Sequence, residues 1–189
     1  LGSSDEYGFS TSPQKESQIL KPQTMYALAK CSSNLLLQSL WLKDKFPVVI
    51  LRLFLIYGNN QSQKRLIPYV INKIKKKQSL KIFNGGNQIK DFFYIEDLCE
   101  VILYTFTNSQ VDGHTINIGS GNPIKIKKVI QKIEKILGKG NVQYIKNHKR
   151  ITENINLWPN ITKMNKLIKI RKFTSLEEGL KKTINSSYD

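Results

Sequence analysis

Apolar residues recur at two different spacings along the chain, and the alternation between them predicts alternating helices and strands. From 25 to 43 leucines return at helical spacing, without Gly or Pro, which predicts a helix. The next run, FPVVILRLFLIYG at 46–58, is rich in β-branched residues and ends at a glycine, so it predicts one buried strand. Two short helices are predicted in the tail, around 161–168 and 175–185. This order predicts an α/β layer fold.

The segments between these elements follow the same pattern. Residues 1–4 resemble the end of a strand, and 5–24 are rich in the residues of loops. The turn NGGNQ has residues that suit positive φ, and TSLEE resembles a helix cap. Helices are predicted in LIPYVINKIKKK, EDLCEVILYTF and IKKVIQKIEKIL, and strands in LKIF, DFFYI, HTINI and VQYIK.

The charge balance is strongly basic. Lys and Arg together number 30 against 14 Asp and Glu, a net charge of +16 over 189 residues. Such an excess favours polyanionic partners, namely nucleic acid, acidic membranes or phosphorylated ligands. The lysines, however, are spread along the whole chain beside abundant Ile and Asn, which is typical of a genome-wide codon bias. Aromatic residues are not interleaved with the basic runs, so nucleic-acid binding is not expected.

Cysteine and histidine usage excludes several other classes. Cys31 and Cys99 are far apart, and His114 and His148 stand alone, so no metal site and no disulfide framework are expected. A reducing cytoplasm is therefore the predicted location. The longest apolar run is interrupted by Arg52 and is too short to span a membrane, so no membrane association is expected.

The segment YALAK carries the first candidate chemistry. On a helix Tyr26 and Lys30 lie on one face, one turn apart. A lysine ammonium beside a phenol favours the phenolate, so such a tyrosine can exchange a proton with a sugar or alcohol hydroxyl. The spacing alone is weak, because Tyr69 and Lys73 share it, and we interpret that second pair as an ordinary helix surface. The setting distinguishes Tyr26, since the turn GSSDEYG precedes it.

Six segments in a fixed order carry a family resemblance. They are SSDEYG, PQTMYALAK, RLFLIYG, GGNQIKDFFYIED, NIGSG and SLEEGLKKTI. In these the chain resembles the later part of an extended short-chain dehydrogenase/reductase of the nucleotide-sugar epimerase/dehydratase/reductase group. The resemblance implies a partial Rossmann-type doubly wound sheet plus a small C-terminal α/β substrate domain. We accordingly predict a Rossmann part at 1–60 and a mainly nucleotide-sugar-binding part at 61–189, with Rossmann elements returning near 90–120.

The resemblance also implies roles for individual residues. Tyr26 would be the catalytic acid/base, and Lys30 would bind the nicotinamide ribose of NAD or NADP and tune the tyrosine. The hydroxyl of Ser4, in preference to Ser3, would bond to the reacting oxygen of the sugar. Family members usually pair into dimers through the helix at 25–43, which implies a homodimer.

A nucleotide-diphosphate sugar is the implied substrate. Lys90 and Asp91 would lie near it, with Lys90 reaching a phosphate. The family usually has Arg at position 90 and Asn, which contacts substrate, at the position of Leu55. Because leucine cannot make that hydrogen bond, the exact substrate stays open.

Three chemistries share this frame. A 4-epimerase or a 4-keto reductase transfers hydride and proton at the sugar C4 with the hydroxyl, Tyr26 and Lys30. A 4,6-dehydratase needs an additional acid and base, and Asp5 and Glu6 are residues of the right type. The alternative for these two acids is a solvated turn that caps neighbouring amides. The tight GSSDEYG turn resembles the reductases most, and epimerase and dehydratase remain alternatives.

One family segment is missing from the sequence, the Gly-rich dinucleotide turn G-x-x-G-x-x-G. We therefore interpret the chain as a fragment, or a truncated reading frame, that holds a dinucleotide weakly and is inactive by itself. Two alternatives remain, an inactive remnant of such an enzyme and a basic RNA-binding protein.

Overall fold

The computed structural model describes residues 1–146, 156–170 and 172–186, so His148 lies outside the described residues. A single turn of 3-10 helix, Ser4–Tyr7, follows the first strand. The helices are α1 (Met25–Asp44), α2 (Leu66–Lys75), α3 (Ile95–Phe106), α4 (Ile126–Leu137), α5 (Thr162–Leu167) and α6 (Leu176–Ser186). The strands are β1 (Gly2–Ser3), β2 (Ile50–Leu53), β3 (Leu55–Tyr57), β4 (Leu80–Ile82), β5 (Ile89–Lys90), β6 (Phe92–Tyr94), β7 (Thr115–Ile118), β8 (Ile124–Lys125), β9 (Val142–Tyr144) and β10 (Asn156–Leu157).

A parallel three-stranded sheet in the order β1-β2-β7 positions the candidate site. Gly2 lies beside Arg52, and Arg52 lies beside Asn117. Helix α1 packs against β1, while α5 packs against β7 and shares an apolar core with α3. Helices therefore cover both faces of a parallel sheet, as the alternating pattern predicts.

The apolar run 46–58 forms two strands, so the prediction of one strand is wrong. Strand β2 ends at Leu53, and β3 begins at Leu55 and pairs with β6 in a different sheet. Phe54 separates them. Its amide donates to the carbonyl of Ile118 (3.0 Å), and its ring packs in a small separate cluster. The chain thus changes sheets where its own apolar pattern is uninterrupted.

A second apolar core surrounds α2, α4 and α6. It includes side chains from β3, β4 and β6, and Tyr57 is among its fully buried members. Near it β4 pairs with β9 in parallel, and β5 lies between β10 and β8. The division of the chain at residue 60 stays a prediction.

Most of the other predicted elements are confirmed. Helix α1 begins and ends within a residue of its predicted bounds, and both tail helices form. The turn NGGNQ contains three residues with positive φ at 84–86. The hydroxyl of Ser175 accepts from the amide of Glu178, and the Glu178 carboxylate accepts from the amide of Ser175, so TSLEE is a capping box. Within the described ranges, the helices include none that is both long and apolar enough to cross a bilayer.

Candidate active site

The first turn of α1 brings Tyr26 and Lys30 together. The hydroxyl of Thr24 accepts from the amide of Ala27 (3.1 Å) and so begins the helix just before Tyr26. The ammonium of Lys30 lies 5.8 Å from the centre of the Tyr26 ring. It also donates to the carbonyl of Leu1 (2.9 Å), next to β1. Tyr26 is 56% exposed, so its phenol is open to a ligand.

Comparison with Tyr69 and Lys73, which have the same spacing, shows what distinguishes the pair at Tyr26. Lys73 lies 5.9 Å from the centre of the Tyr69 ring, almost the same distance. Its ammonium, however, donates to the side chain of Gln78 just beyond α2 (3.0 Å). The Tyr–Lys distance therefore does not separate the two pairs, whereas the bond of Lys30 to Leu1, next to β1, does.

The Ser4–Tyr7 turn follows β1 directly, and α1 packs against both. The hydroxyl of Ser3 accepts from the amide of Asp5 (3.2 Å), which caps the turn. Ser4 is buried, and Asp5 is exposed. The turn thus lies beside the helix that carries Tyr26 and presents one carboxylate, Asp5, to solvent.

Glu6 occupies a different environment from Asp5. It is fully buried, and its carboxylate accepts from Nε of Arg52 (2.8 Å) and from Nδ2 of Asn34 (2.7 Å). Its other contact is the amide of Ser3 (2.8 Å). A carboxylate held by these three donors does not face solvent, and the candidate role of Glu6 in dehydration stays a prediction.

The same pair extends into a buried network whose partners the sequence did not identify. Arg52 donates through Nη1 to the Tyr7 hydroxyl (3.1 Å), which donates to Oδ1 of Asn117 (2.7 Å). Burial raises the pKa of Tyr7, although Arg52 lowers it, so the phenol stays a neutral donor. Burial opposes the charge of Arg52, but Tyr7 and Glu6 raise its pKa above the ordinary value. The only signal in the sequence was an arginine inside an apolar run.

Asp91 holds a turn, and its place near the sugar nucleotide stays a prediction. It is fully buried, and its two carboxylate oxygens accept from the amides of Ser120 (2.8 Å) and Gly121 (2.7 Å). Burial raises the pKa of this carboxyl, although the Ser120 and Gly121 donors lower it. Asp91 therefore fixes the NIGSG turn after β7, and its lone pairs are used there.

The other two predicted substrate residues lie on neighbouring strands. Lys90 is a buried residue of β5, between Leu157 on β10 and Ile124 on β8. Leu55 lies in β3 beside Phe92 and packs against the core around α2 and α4. No described cluster of three or more His, Cys, Asp or Glu side chains could hold a metal ion.

These features agree with a known family. Residues 1–119 match the model of the NAD dependent epimerase/dehydratase family. The match covers more than half of the 189 residues, and the chain belongs to that family.

Relatives of known name include both epimerases and dehydratases. The UDP-glucuronate 4-epimerase of Thermodesulfobacterium geofontis is 31% identical over 171 residues, which are 88% of this chain and 51% of that protein. The dTDP-D-glucose 4,6-dehydratase of Mus musculus is 30% identical over 141 residues, 74% of this chain and 39% of that protein. The chain thus spans about half, or less, of the length of these relatives.

A solved structure supports the fold class. The UDP-glucuronic acid 4-epimerase of Bacillus cereus, in complex with UDP-glucuronic acid and NAD, is 27% identical with a TM-score of 0.87. The likeness covers 98% of this chain and 59% of that one. The predicted Rossmann-type α/β fold is confirmed, and the predicted cofactor class is the one on which the family depends.

Proposed function

We propose that this chain is part of an NAD-dependent 4-epimerase of UDP-linked sugars, in which it supplies the proton-transfer residues and part of the sugar site. The carrying observation is the position of the Tyr26–Lys30 pair, whose ammonium donates to the carbonyl of Leu1, just before the strand that leads into the Ser4–Tyr7 turn. We propose that one helix and one turn thereby supply an exposed phenol, an ammonium and a hydroxyl at the end of a parallel sheet where α/β folds bind ligands.

Each of these groups has a role in chemistry at the sugar C4. The phenol of Tyr26 takes the proton of the 4-hydroxyl as the C4–H bond breaks, and returns it when the opposite face is reduced. Lys30 stabilises the phenolate and binds the ribose next to the nicotinamide. The Ser4 hydroxyl orients the reacting oxygen. NAD held beside Tyr26 and Lys30 would supply a hydride acceptor and donor for C4, so the reaction would consume no reductant.

The residues present fit the nicotinamide end of this cofactor. Tyr26 is more than half exposed, and Lys30 is partly exposed beside it, so both can meet a ribose hydroxyl. The inactivity of the 189 residues by themselves stays a prediction.

The burial of Glu6 favours epimerisation over dehydration. A 4,6-dehydratase needs an acid and a base in addition to the phenol, and Asp5 is the one exposed carboxylate of the turn. A 4-epimerase needs neither, so the turn as it stands is sufficient for it. A 4-keto reductase also needs neither, and the tight form of the GSSDEYG turn keeps it as the second candidate.

The sugar nucleotide is proposed to lie over β3 and β5. Lys90 would neutralise part of the diphosphate, while Leu55 would offer the sugar an apolar contact instead of an amide. A lysine provides a point charge and not the planar fork of an arginine, so we expect it to hold the diphosphate less directionally than an arginine does.

A homodimer through α1 is proposed as well. This helix carries leucines that the rest of the described chain leaves exposed to solvent. Leu28, Leu35 and Leu36 are 47%, 59% and 63% exposed. Leu28 and Leu35 lie three and four residues from the buried Cys31 and widen its side of the helix, and Leu36 lies further round toward solvent. An apolar stripe wider than the buried side is typical of a helix that packs against a second surface.

The test uses the protein as its source expresses it, with catalytic NAD and UDP-glucose or UDP-glucuronic acid, and follows the C4 epimer by NMR. We expect Tyr26→Phe to lower turnover at least about 100-fold, because general acid–base catalysis contributes that much or more. Tyr69→Phe is the matched control, since Tyr69 has the same spacing to a lysine, and it should keep the wild-type rate. Equal rates for both variants would refute the proposal, and stoichiometric consumption of NADH or NADPH would identify a reductase instead.

A further inference from the structure

Glu6 connects the three elements on which the proposed site depends. Its Oε1 accepts from the amide of Ser3 at the end of β1 (2.8 Å) and from Nδ2 of Asn34 on α1 (2.7 Å). Its Oε2 accepts from Nε of Arg52 on β2 (2.8 Å). A single side chain of the turn is therefore bonded to the helix, to its own strand and to the neighbouring strand.

Asn34 lies on the buried side of α1, one turn beyond Lys30 and two turns beyond Tyr26. Because a helix is stiff over two turns, a bond at Asn34 fixes the height and the rotation of Tyr26. We propose that Asn34 and Glu6 are positioning residues, which set the distance between the Tyr26 phenol and the Ser4 hydroxyl. This inference rests on the function proposed above.

The backbone of β1 leaves space for this contact. A Cβ at Gly2 would lie 2.7 Å from Oε1 of Glu6 and 2.9 Å from Nδ2 of Asn34. Any larger residue at position 2 would force the carboxylate and the amide away from the strand. The absence of a side chain there lets α1 approach β1 closely enough for Asn34 to reach the turn.

The choice of an amide at position 34 follows from the charges around it. The groups that face the Glu6 carboxylate are the guanidinium of Arg52, which also contacts the Tyr7 hydroxyl, and the thiol of Cys31. Arg52 already neutralises Glu6, so a neutral donor completes the site without a surplus charge. Errors of about 1 Å in the placement of reacting groups can cost about 100-fold in rate, so the contact is sensitive enough to matter.

The experiment compares two hydrogen bonds of α1. Asn34→Ala removes its bond to the turn, and Gln38→Ala removes a bond of similar length from Nε2 of Gln38 to the Thr115 hydroxyl (2.8 Å). Both residues lie on the side of α1 that faces the sheet, one turn apart, but Gln38 does not contact the turn. In the expressed enzyme we expect Asn34→Ala to lower kcat about 10- to 100-fold with KM changed less than about threefold, and Gln38→Ala to keep kcat.

A second variant keeps the inference testable if Asn34→Ala does not fold. Asn34→Asp places two carboxylates together, and such a pair holds a shared proton at low pH. The protonated pair restores the donor to Glu6, so the ratio of variant to wild-type kcat should rise as the pH falls. Equal loss of kcat in Asn34→Ala and Gln38→Ala, or a ratio for Asn34→Asp that does not change with pH, would overturn the inference.

The parent proposal fails by a different result. If Tyr26→Phe keeps its activity, the function is wrong, and positioning of Tyr26 has no meaning. If Tyr26→Phe is inactive while Asn34→Ala and Gln38→Ala behave alike, the function stands and only the positioning role of Asn34 and Glu6 is refuted.

Discussion

On one face of the β1-β2-β7 sheet, Leu51, Ile116 and Ile118 are buried against α3 and α5 in an apolar core. On the opposite face Arg52 and Asn117 are buried and hydrogen-bonded to Glu6 and Tyr7 of the turn against which α1 packs. The two faces use alternate residues of the same strands. The two faces differ in how much interaction energy is lost when a helix shifts relative to the sheet. Apolar contacts are non-directional, whereas a hydrogen bond loses strength when its partners move.

This difference corresponds to what each face does. The apolar face holds the sheet to its helices, and many side chains of similar size could do so. The polar face fixes α1, which carries Tyr26, relative to the turn that carries Ser4, the two residues of the proposed site. Stability and site geometry are thus separated across a single layer, and substitutions on the two faces should separate them as well.

The largest effect is expected at Arg52. Arg52→Met leaves the carboxylate of Glu6 buried without its cation, so the free energy of unfolding should fall by about 4 kcal/mol, and turnover should be lost. Urea denaturation and the epimerase assay measure the two effects. The control is the double variant Glu6→Gln with Arg52→Met, which removes both charges and should recover part of the stability without recovering turnover. If Arg52→Met is as stable as the wild type, the Glu6–Arg52 pair is not needed for stability.

Leu51, the neighbour of Arg52 on the same strand, tests the opposite face. Leu51→Ala opens a cavity in the core shared with α3 and α5, so the free energy of unfolding should fall by about 3 kcal/mol. Turnover per folded molecule should not change, since the side chain points away from α1. The same two assays apply, at a temperature where the variant is folded. Loss of turnover equal to that of Arg52→Met would remove the distinction between the faces.

The two faces were also unequally predictable from the sequence. The β-branched run at 46–58 and the segment HTINI were sufficient to predict strand structure in the regions of β2 and β7, and leucines at helical spacing were sufficient to predict α1. Tyr26 and Lys30 could be paired because four residues separate them on one helix. The partners of the polar face are 28 and 46 residues apart, as in the bonds of Glu6 with Asn34 and Arg52, and no local pattern says which polar residue meets which.

Glu6 and Asp91 show what residue type leaves open. Family position put Asp91 near the sugar nucleotide and made Glu6 one candidate for dehydration, and the structure shows that both carboxylates are also bonded inside the protein. A carboxylate can serve a substrate, a cation or backbone amides, and the sequence alone does not say which one it meets. The break at Phe54 is similar, since the residues on either side continue the apolar pattern while the chain changes sheets.

Asp91 is a buried carboxylate like Glu6, but backbone amides hold it instead of a cation. Its pKa is raised by burial, so the folded protein binds a proton there more tightly than the unfolded chain does. The wild-type stability should therefore fall as the pH rises from about 4 through the raised pKa. Asp91→Asn lacks this dependence, and near pH 7 it should lose about 2 kcal/mol, because its NH₂ group meets a backbone amide that needs an acceptor.

Urea unfolding of the wild type and of Asp91→Asn at several pH values measures this difference. The free energy of unfolding of the wild type minus that of the variant should shrink as the pH rises from about 4. Other titrating groups contribute equally to both proteins, so their effects cancel in this difference. An advantage that grows with pH would mean that the amide donors of the NIGSG turn outweigh burial. Asp91 would then be an anchor as favourable as the Glu6–Arg52 pair.

The smallest effect is expected at Glu96. Its bond to Lys182 is 2.8 Å long, the same length as the bond of Glu6 to Arg52, but both of its side chains are about half exposed. The hydrogen bond from Lys182 lowers the pKa of Glu96, so the contribution of the pair is present above the ordinary glutamate pKa and is lost as the pH falls through the lowered value. Glu96→Gln should change the Tm less than any variant above, and only at neutral pH and low salt. Thermal melts at pH 3 and pH 7, with and without salt, check this. A loss as large as that of Arg52→Met would mean that the distance, and not burial, decides the strength of a pair in this protein.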